Sequence, residues 1–205
     1  MDIKEILIII TASVLLGFVI AYPDYSLILP SLISIFIILA VTIAAKKITA
    51  YNLEAKATIK FWSVYRYGFQ RNMHFKKPLP MFWLSALLAL ISRGIITWLP
   101  ILEFDIEANP ERVSRRHGFY RYTRLTDWHV ARIATAGIIA ALILSIIGYV
   151  AGFDNFARLS IFFALWSLLP ISSLDGTKIF FGSRALWFTM LVITAIFFSF
   201  AMFTI

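Results

Sequence analysis

The chain contains no cysteine. That excludes disulfides and every thiolate metal site. Histidine is scarce: His74, His117 and His129 are the only three. His117 and His129 stand twelve positions apart across a loop, and no histidine has a partner at metal-ligand spacing. Charge is sparse too, at 15% of 205 residues. No repeat and no low-complexity stretch marks off a second domain.

What is abundant is apolar. Hydrophobic residues make up 60% of the chain and the mean hydropathy is +0.84. A soluble domain of this length does not need that much apolar surface. Several runs approach the ~20 residues that span a bilayer core. The chain therefore reads as an all-α integral membrane protein. Its net charge of +8 fits basic cytoplasmic loops beside anionic lipid headgroups. Nucleic-acid binding is the weaker reading of the same charge.

Residues 3–22 form a first span. Their flank has no positive excess, no small-residue cleavage site follows, and a second span comes at once, so retention is expected rather than removal as a signal peptide. A Tyr22-Pro23-Asp24 turn leads to the second span, residues 27–45, which ends at Lys46 and Lys47. Residues 1–48 are thus an N-terminal transmembrane hairpin, and residues 49–205 the remaining core.

Residues 49–69 read as a helix with a polar seam. At 100° per residue, Thr49, Asn52, Lys56, Lys60, Ser63 and Tyr67 share one stripe. Either the helix lies at the interface with its lysines in water, or it spans with the seam turned inward. A basic loop follows, then an apolar run over 81–99 that Ser92-Arg93-Gly94 interrupts, as in a broken or re-entrant segment. In the basic loop 105–128, Arg112, Arg115, Arg116, Arg121 and Arg124 alternate with aromatics. This composition suits a membrane surface, and less well RNA or a ribosome. Spans over 129–152, 157–173 and 183–203 complete six to seven transmembrane or re-entrant helices. An N-terminus in the cytoplasm places Lys46, Lys47 and the arginine loop there as well.

The stretch LLPISSLDG at 168–176 resembles the N-x-x-P-x-x-x-L-D-G signature of the site-2 protease family, intramembrane zinc metalloproteases. Ala-Gly at 136–137 resembles the start of another family span. Ser167 replaces the family asparagine and Ile138 a family proline. The resemblance implies a site-2-protease-like core in which Asp175 holds the position of the third zinc ligand. The family's other ligands come from H-E-x-x-H on an earlier helix, and no such motif exists here. Alignment on Arg66-Tyr67-Gly68-Phe69 puts Lys56, Ala57 and Lys60 at those positions.

A lysine ligand must be neutral, which costs about 4 to 5 kcal/mol for each at pH 7. With Ala57 at the glutamate position no general base remains. No catalytic residue, metal or cofactor is therefore assigned. The expected replacement is a charge clamp, in which Lys56 and Lys60 pair with Asp175 where the family holds its metal. The alternative is that Asp175 caps a broken helix while the lysines reach water.

The resulting expectation is a non-catalytic membrane pseudoprotease. It would bind or scaffold transmembrane segments, with the bilayer and other membrane helices or a larger complex as partners. Its expected place is the plasma membrane of a prokaryote, as a multi-pass protein. Two other readings stay open. One is an active intramembrane metalloprotease using His74, His117 or His129 with Asp175. The other is a small transporter or channel subunit with a wet path along Asn52, Lys56, Lys60 and Ser63.

Overall fold

The computed structural model describes residues 3–66, 74–108 and 125–204. Helix dominates. Helices α1 (Ile3–Ala21) and α2 (Ile28–Asn52) form the expected hairpin, joined by a single 3-10 turn, Tyr25–Leu27. Strands β1 (Ala55–Phe61), β2 (Ser63–Arg66) and β3 (His74–Pro80) follow, then α3 (Phe82–Ile91) and β4 (Leu102–Ala108). Four helices close the chain: α4 (Asp127–Val150), α5 (Asp154–Ser167), α6 (Asp175–Gly182) and α7 (Arg184–Thr204).

Among the described residues, four helices are long and apolar enough to cross a membrane: α1, α2 with its preceding turn, α4 and α7. Each carries an apolar surface nearly all round, as a helix facing lipid must. Three buried hydroxyls on these helices bond back to their own carbonyls: Ser13 to Ile9, Thr42 to Ile38 and Thr135 to Ala131, each at 2.8 Å. Such bonds satisfy a polar side chain where no water competes. α4 packs against α2, α5 and α6, and so forms the axis of the bundle.

The break in the 81–99 run is real. α3 stops at Ile91, and Arg93 and Gly94 both take positive φ (54° and 84°). Gly94 is needed for space as well: a Cβ there would lie 2.4 Å from the Tyr22 carbonyl oxygen. The chain then turns back through buried Trp98, Leu99 and Ile101. Side chains and the link between β1 and β2 satisfy its irregular backbone. Ser85 donates to the Trp98 carbonyl, the Trp98 indole to Pro100, and the Trp62 amide to Ile101. Non-helical chain inside a bundle needs such partners. Trp98 also stacks on Trp62 and packs against Trp166.

The helix expected over 49–69 is not there. α2 runs on to Asn52, Glu54 takes φ 58°, and β1 begins. β1 pairs antiparallel with β4, and β2 with β3. The four strands correct the all-α expectation. Their cause is a period-2 pattern. Ala55, Ala57 and Ile59 are buried while Lys56 and Lys60 are exposed. Residues four apart share a face of a strand as well as of a helix, so the lysine spacing fits both periods.

Candidate functional site

Asp175 is the first residue of α6 and is buried. The backbone around it is fixed by contact. A Cβ on Gly176 would lie 2.1 Å from the Leu168 carbonyl oxygen and 2.5 Å from that of Leu169. The Leu168 carbonyl also accepts the Trp187 indole N–H at 2.9 Å. Leu174 is fully buried, and Ser172 turns the chain at φ 52°. The L-D-G element thus clamps the start of α6 onto the end of α5. The partial positive charge of a helix N-terminus favours a carboxylate there.

The partner of Asp175 is Lys46. Its Nζ donates to Asp175 Oδ2 at 2.5 Å, and both side chains are nearly enclosed, 10% and 7% exposed. This corrects the expected clamp. Lys56 and Lys60 lie on β1, on its solvent side. Lys60 Nζ bonds Asp105 Oδ2 at 2.6 Å, and Lys56 stands opposite Glu107 in the strand register. These lysines belong to a cross-strand charge ladder, with Lys56, Thr58 and Lys60 facing Glu107, Asp105 and Glu103. Asn52 ends α2, Lys56 and Lys60 lie on β1 and Ser63 on β2, so these residues do not form a seam on one helix. The Asp105 carboxylate, by hydrogen bond and by charge, holds the Lys60 ammonium above its ordinary pKa.

Around the pair, β4 supplies the lid. The Phe104 ring is buried with Lys46 Nζ 4.8 Å and Lys178 Nζ 3.7 Å from its centroid. Two ammonium groups thus share one aromatic ring. Lys178 also donates to the Phe104 carbonyl, and Ser173 donates to Glu103. Burial pushes the Lys178 ammonium below the ordinary lysine pKa, while the Asp175 charge opposes that shift. On the other edge of the sheet, Glu5 accepts from the Ile59 amide at 3.4 Å and from Lys47 Nζ at 2.5 Å. Ile59 and Phe104 are register partners whose outward backbone groups are taken by Glu5 and Lys178. The small sheet is therefore held at both edges by charged side chains from helices.

A cavity of about 20 Å³, lined by Thr42, Lys46, Ser167 and Asp175 and by the chain from Leu99 to Leu102, adjoins the pair. That is room for about one water molecule. Asp175 Oδ1 is buried and takes no hydrogen bond from the described residues.

The donor set does not suit zinc. Among the described residues no three of His, Asp and Glu gather as a ligand group. The groups around Asp175 are ammonium ions, which repel a metal cation. His129 is engaged at the start of α4, where its Nδ1 accepts from the Thr126 amide at 3.3 Å. The backbone of His74 lies on β3, and His117 falls outside the described residues. Arg112, Arg115, Arg116, Arg121 and Arg124 also fall outside them.

No family model, no curated protein and no solved structure matches the chain. The site must therefore be read from its own chemistry.

Sequence reasoning missed Lys46, which it took only as the end of a span. It also missed Glu5, Glu103, Phe104 and Lys178. The one available signal was alternation: apolar residues at 55, 57, 59 and 61 mark a strand. Nothing in the sequence selects Lys46 over the neighbouring Lys47.

Proposed function

We propose that this chain is a non-catalytic relative of the site-2 proteases that binds or scaffolds transmembrane segments as part of a membrane complex. On this reading six to seven segments cross or enter the plasma membrane of a prokaryote. The observation that carries the proposal is the buried Lys46–Asp175 pair. In the family that Asp175 resembles, this carboxylate faces zinc. Here it faces an ammonium ion from the protein itself. A lysine in that place neutralises the carboxylate without a metal and activates no water.

The binding role has a second support. α7 is the least enclosed of the four long helices, with 17% of its most apolar stretch buried. It leaves an apolar slot against α4, lined by Ile146, Tyr149, Ile196, Phe197 and Phe200. A slot open toward lipid suits a foreign helix without any catalytic group nearby.

Metal analysis and a binding assay test the proposal together. The purified protein should carry well under one zinc per chain, and Asp175→Asn should not change that. Stoichiometric zinc lost on Asp175→Asn would establish the metalloprotease reading instead. In nanodiscs, a labelled single-span peptide should associate with the protein and keep its mass. A peptide that is shortened, or one that never associates, would overturn the proposal.

A further inference from the structure

A second groove lies at the other end of the bundle from Asp175, and it is built differently. It sits between the last turn of α1, the first turns of α2 and the start of α5. Its volume is about 270 Å³. Ile20, Leu27, Leu159 and Phe162 form its apolar wall, and Ser31, Ser34, Asn155 and Arg158 its polar side.

Arg158 is the group that calls for a ligand. It is half-buried, and its Nε is fully enclosed with no hydrogen-bond partner. None of the ion pairs among the described residues includes it. Asp154, one turn earlier on the same helix, is not within ion-pair distance. A guanidinium presents five donors in a fixed fork that matches a phosphate. Enclosing its Nε–H without an acceptor is costly.

Position selects the kind of anion. The groove opens at the ends of α1 and α2, beside Ile20 and Leu27, where the membrane core gives way to headgroups. Asn155 is the second residue of α5, so the free N–H groups of that first turn add positive potential. The apolar wall continues from there along Leu159 and Phe162 toward the bilayer interior. A free phosphate ion would leave that wall unused. A phospholipid fills both halves.

The geometry points to a bound anionic phospholipid: its phosphate on Arg158, its headgroup hydroxyls against Ser31 and Asn155, and an acyl chain running inward along Leu159 and Phe162. This assignment stands independently of the pseudoprotease reading. The lipid would tie α5 to the α1–α2 hairpin at the end of the bundle away from the ion pair.

Native mass spectrometry of the full chain, released from detergent with phosphatidylglycerol added, reads the site directly. One lipid should remain bound, and Arg158→Gln should weaken its retention about ten-fold, the loss expected for a charge-assisted contact. Arg132→Gln, on an exposed position near the start of α4, should leave retention unchanged. If Arg158→Gln does not fold, Ser34→Trp, which fills the groove, should give the same loss. Equal retention by wild type and both groove variants would overturn the proposal. So would equal retention of phosphatidylcholine, which carries no net charge. Thermal stabilisation by millimolar inorganic phosphate matching that by the lipid would assign the groove to a free anion instead.

Discussion

The stem of Lys46 fills the space that a side chain on Gly137 would take. A Cβ at position 137 would lie 2.4 Å from Lys46 Cε and 3.1 Å from its Cγ. Gly137 therefore lets α2 and α4 pack closely enough for a lysine on one helix to reach across to α6. Gly137→Val should push that stem aside, lower stability by about 1 to 3 kcal/mol and separate the ammonium from Asp175. Lys46→Ala removes the stem, and in that background Gly137→Val should cost far less. A double-mutant cycle from unfolding in mild detergent measures the coupling. Simple additivity would show that the contact does not matter.

The Lys46–Asp175 pair should behave as a buried ion pair. Asp175→Asn or Lys46→Met alone should each destabilise by about 3 to 5 kcal/mol, because the remaining charge is left enclosed. Lys46→Met with Asp175→Leu should recover most of that loss, since apolar residues of similar volume can replace such a pair. Thermal unfolding of the three variants decides this. A double variant as unstable as the worse single one would contradict it.

The L-D-G glycine should be less replaceable than a glycine between helices. At Gly176 the obstacle is backbone, the Leu168 and Leu169 carbonyls, which cannot rotate away. At Gly17 it is the Leu32 side chain, with Cγ 2.7 Å from the added Cβ. Gly176→Ala should lose more than about 4 kcal/mol or fail to accumulate, while Gly17→Ala should lose about 1 to 3 kcal/mol. Folded yield and melting temperature give the order.

Lys60 and Asp105 form an exposed pair, 58% and 54% open to solvent, so its net contribution is small. Lys60→Ala should change stability by less than about 1 kcal/mol, and high salt should shrink the difference. The pH dependence has a definite sign. The folded pKa of Lys60 is raised, so its contribution is fully present below the ordinary lysine value and is lost as pH climbs through the raised one. Lys178 acts the other way. Its folded pKa is lowered, so its buried charge opposes folding at neutral pH, and that cost fades as pH rises from the lowered value toward the ordinary one. Melting curves of Lys60→Ala and Lys178→Met between neutral pH and pH ~11 should differ from wild type in opposite directions. Parallel curves would refute this pairing.

The position of the membrane helices was plain in the residues themselves. Runs at 3–22, 129–152 and 183–203 match α1, α4 and α7 within two residues at either end. α2 starts where the run at 27–45 starts, but it continues seven residues past that run, through Lys46 to Asn52. The interruption at Ser92-Arg93-Gly94 also appears where the sequence puts it. Apolar length and glycine are local properties, and a local pattern is enough to fix them. Asp175 was legible too, as the lone carboxylate at the end of an apolar run.

What met Asp175 was not legible. Lys46 and Asp175 lie 129 positions apart, and their meeting depends on how α2 turns against α4. Lys60 and Asp105 lie 45 apart and meet because β1 pairs with β4. A spacing of four residues is the same on one face of a helix and one face of a strand, so Lys56 and Lys60 looked like one turn of a seam. Long-range pairing settles that ambiguity: β4 offers β1 a partner with complementary charge on the outer face and an apolar inner one. The sequence by itself determined where the long apolar helices run and that Asp175 closes an apolar stretch. Only the tertiary structure decided which cation reaches that acid, because burial forces a carboxylate to take a partner and packing alone selects it.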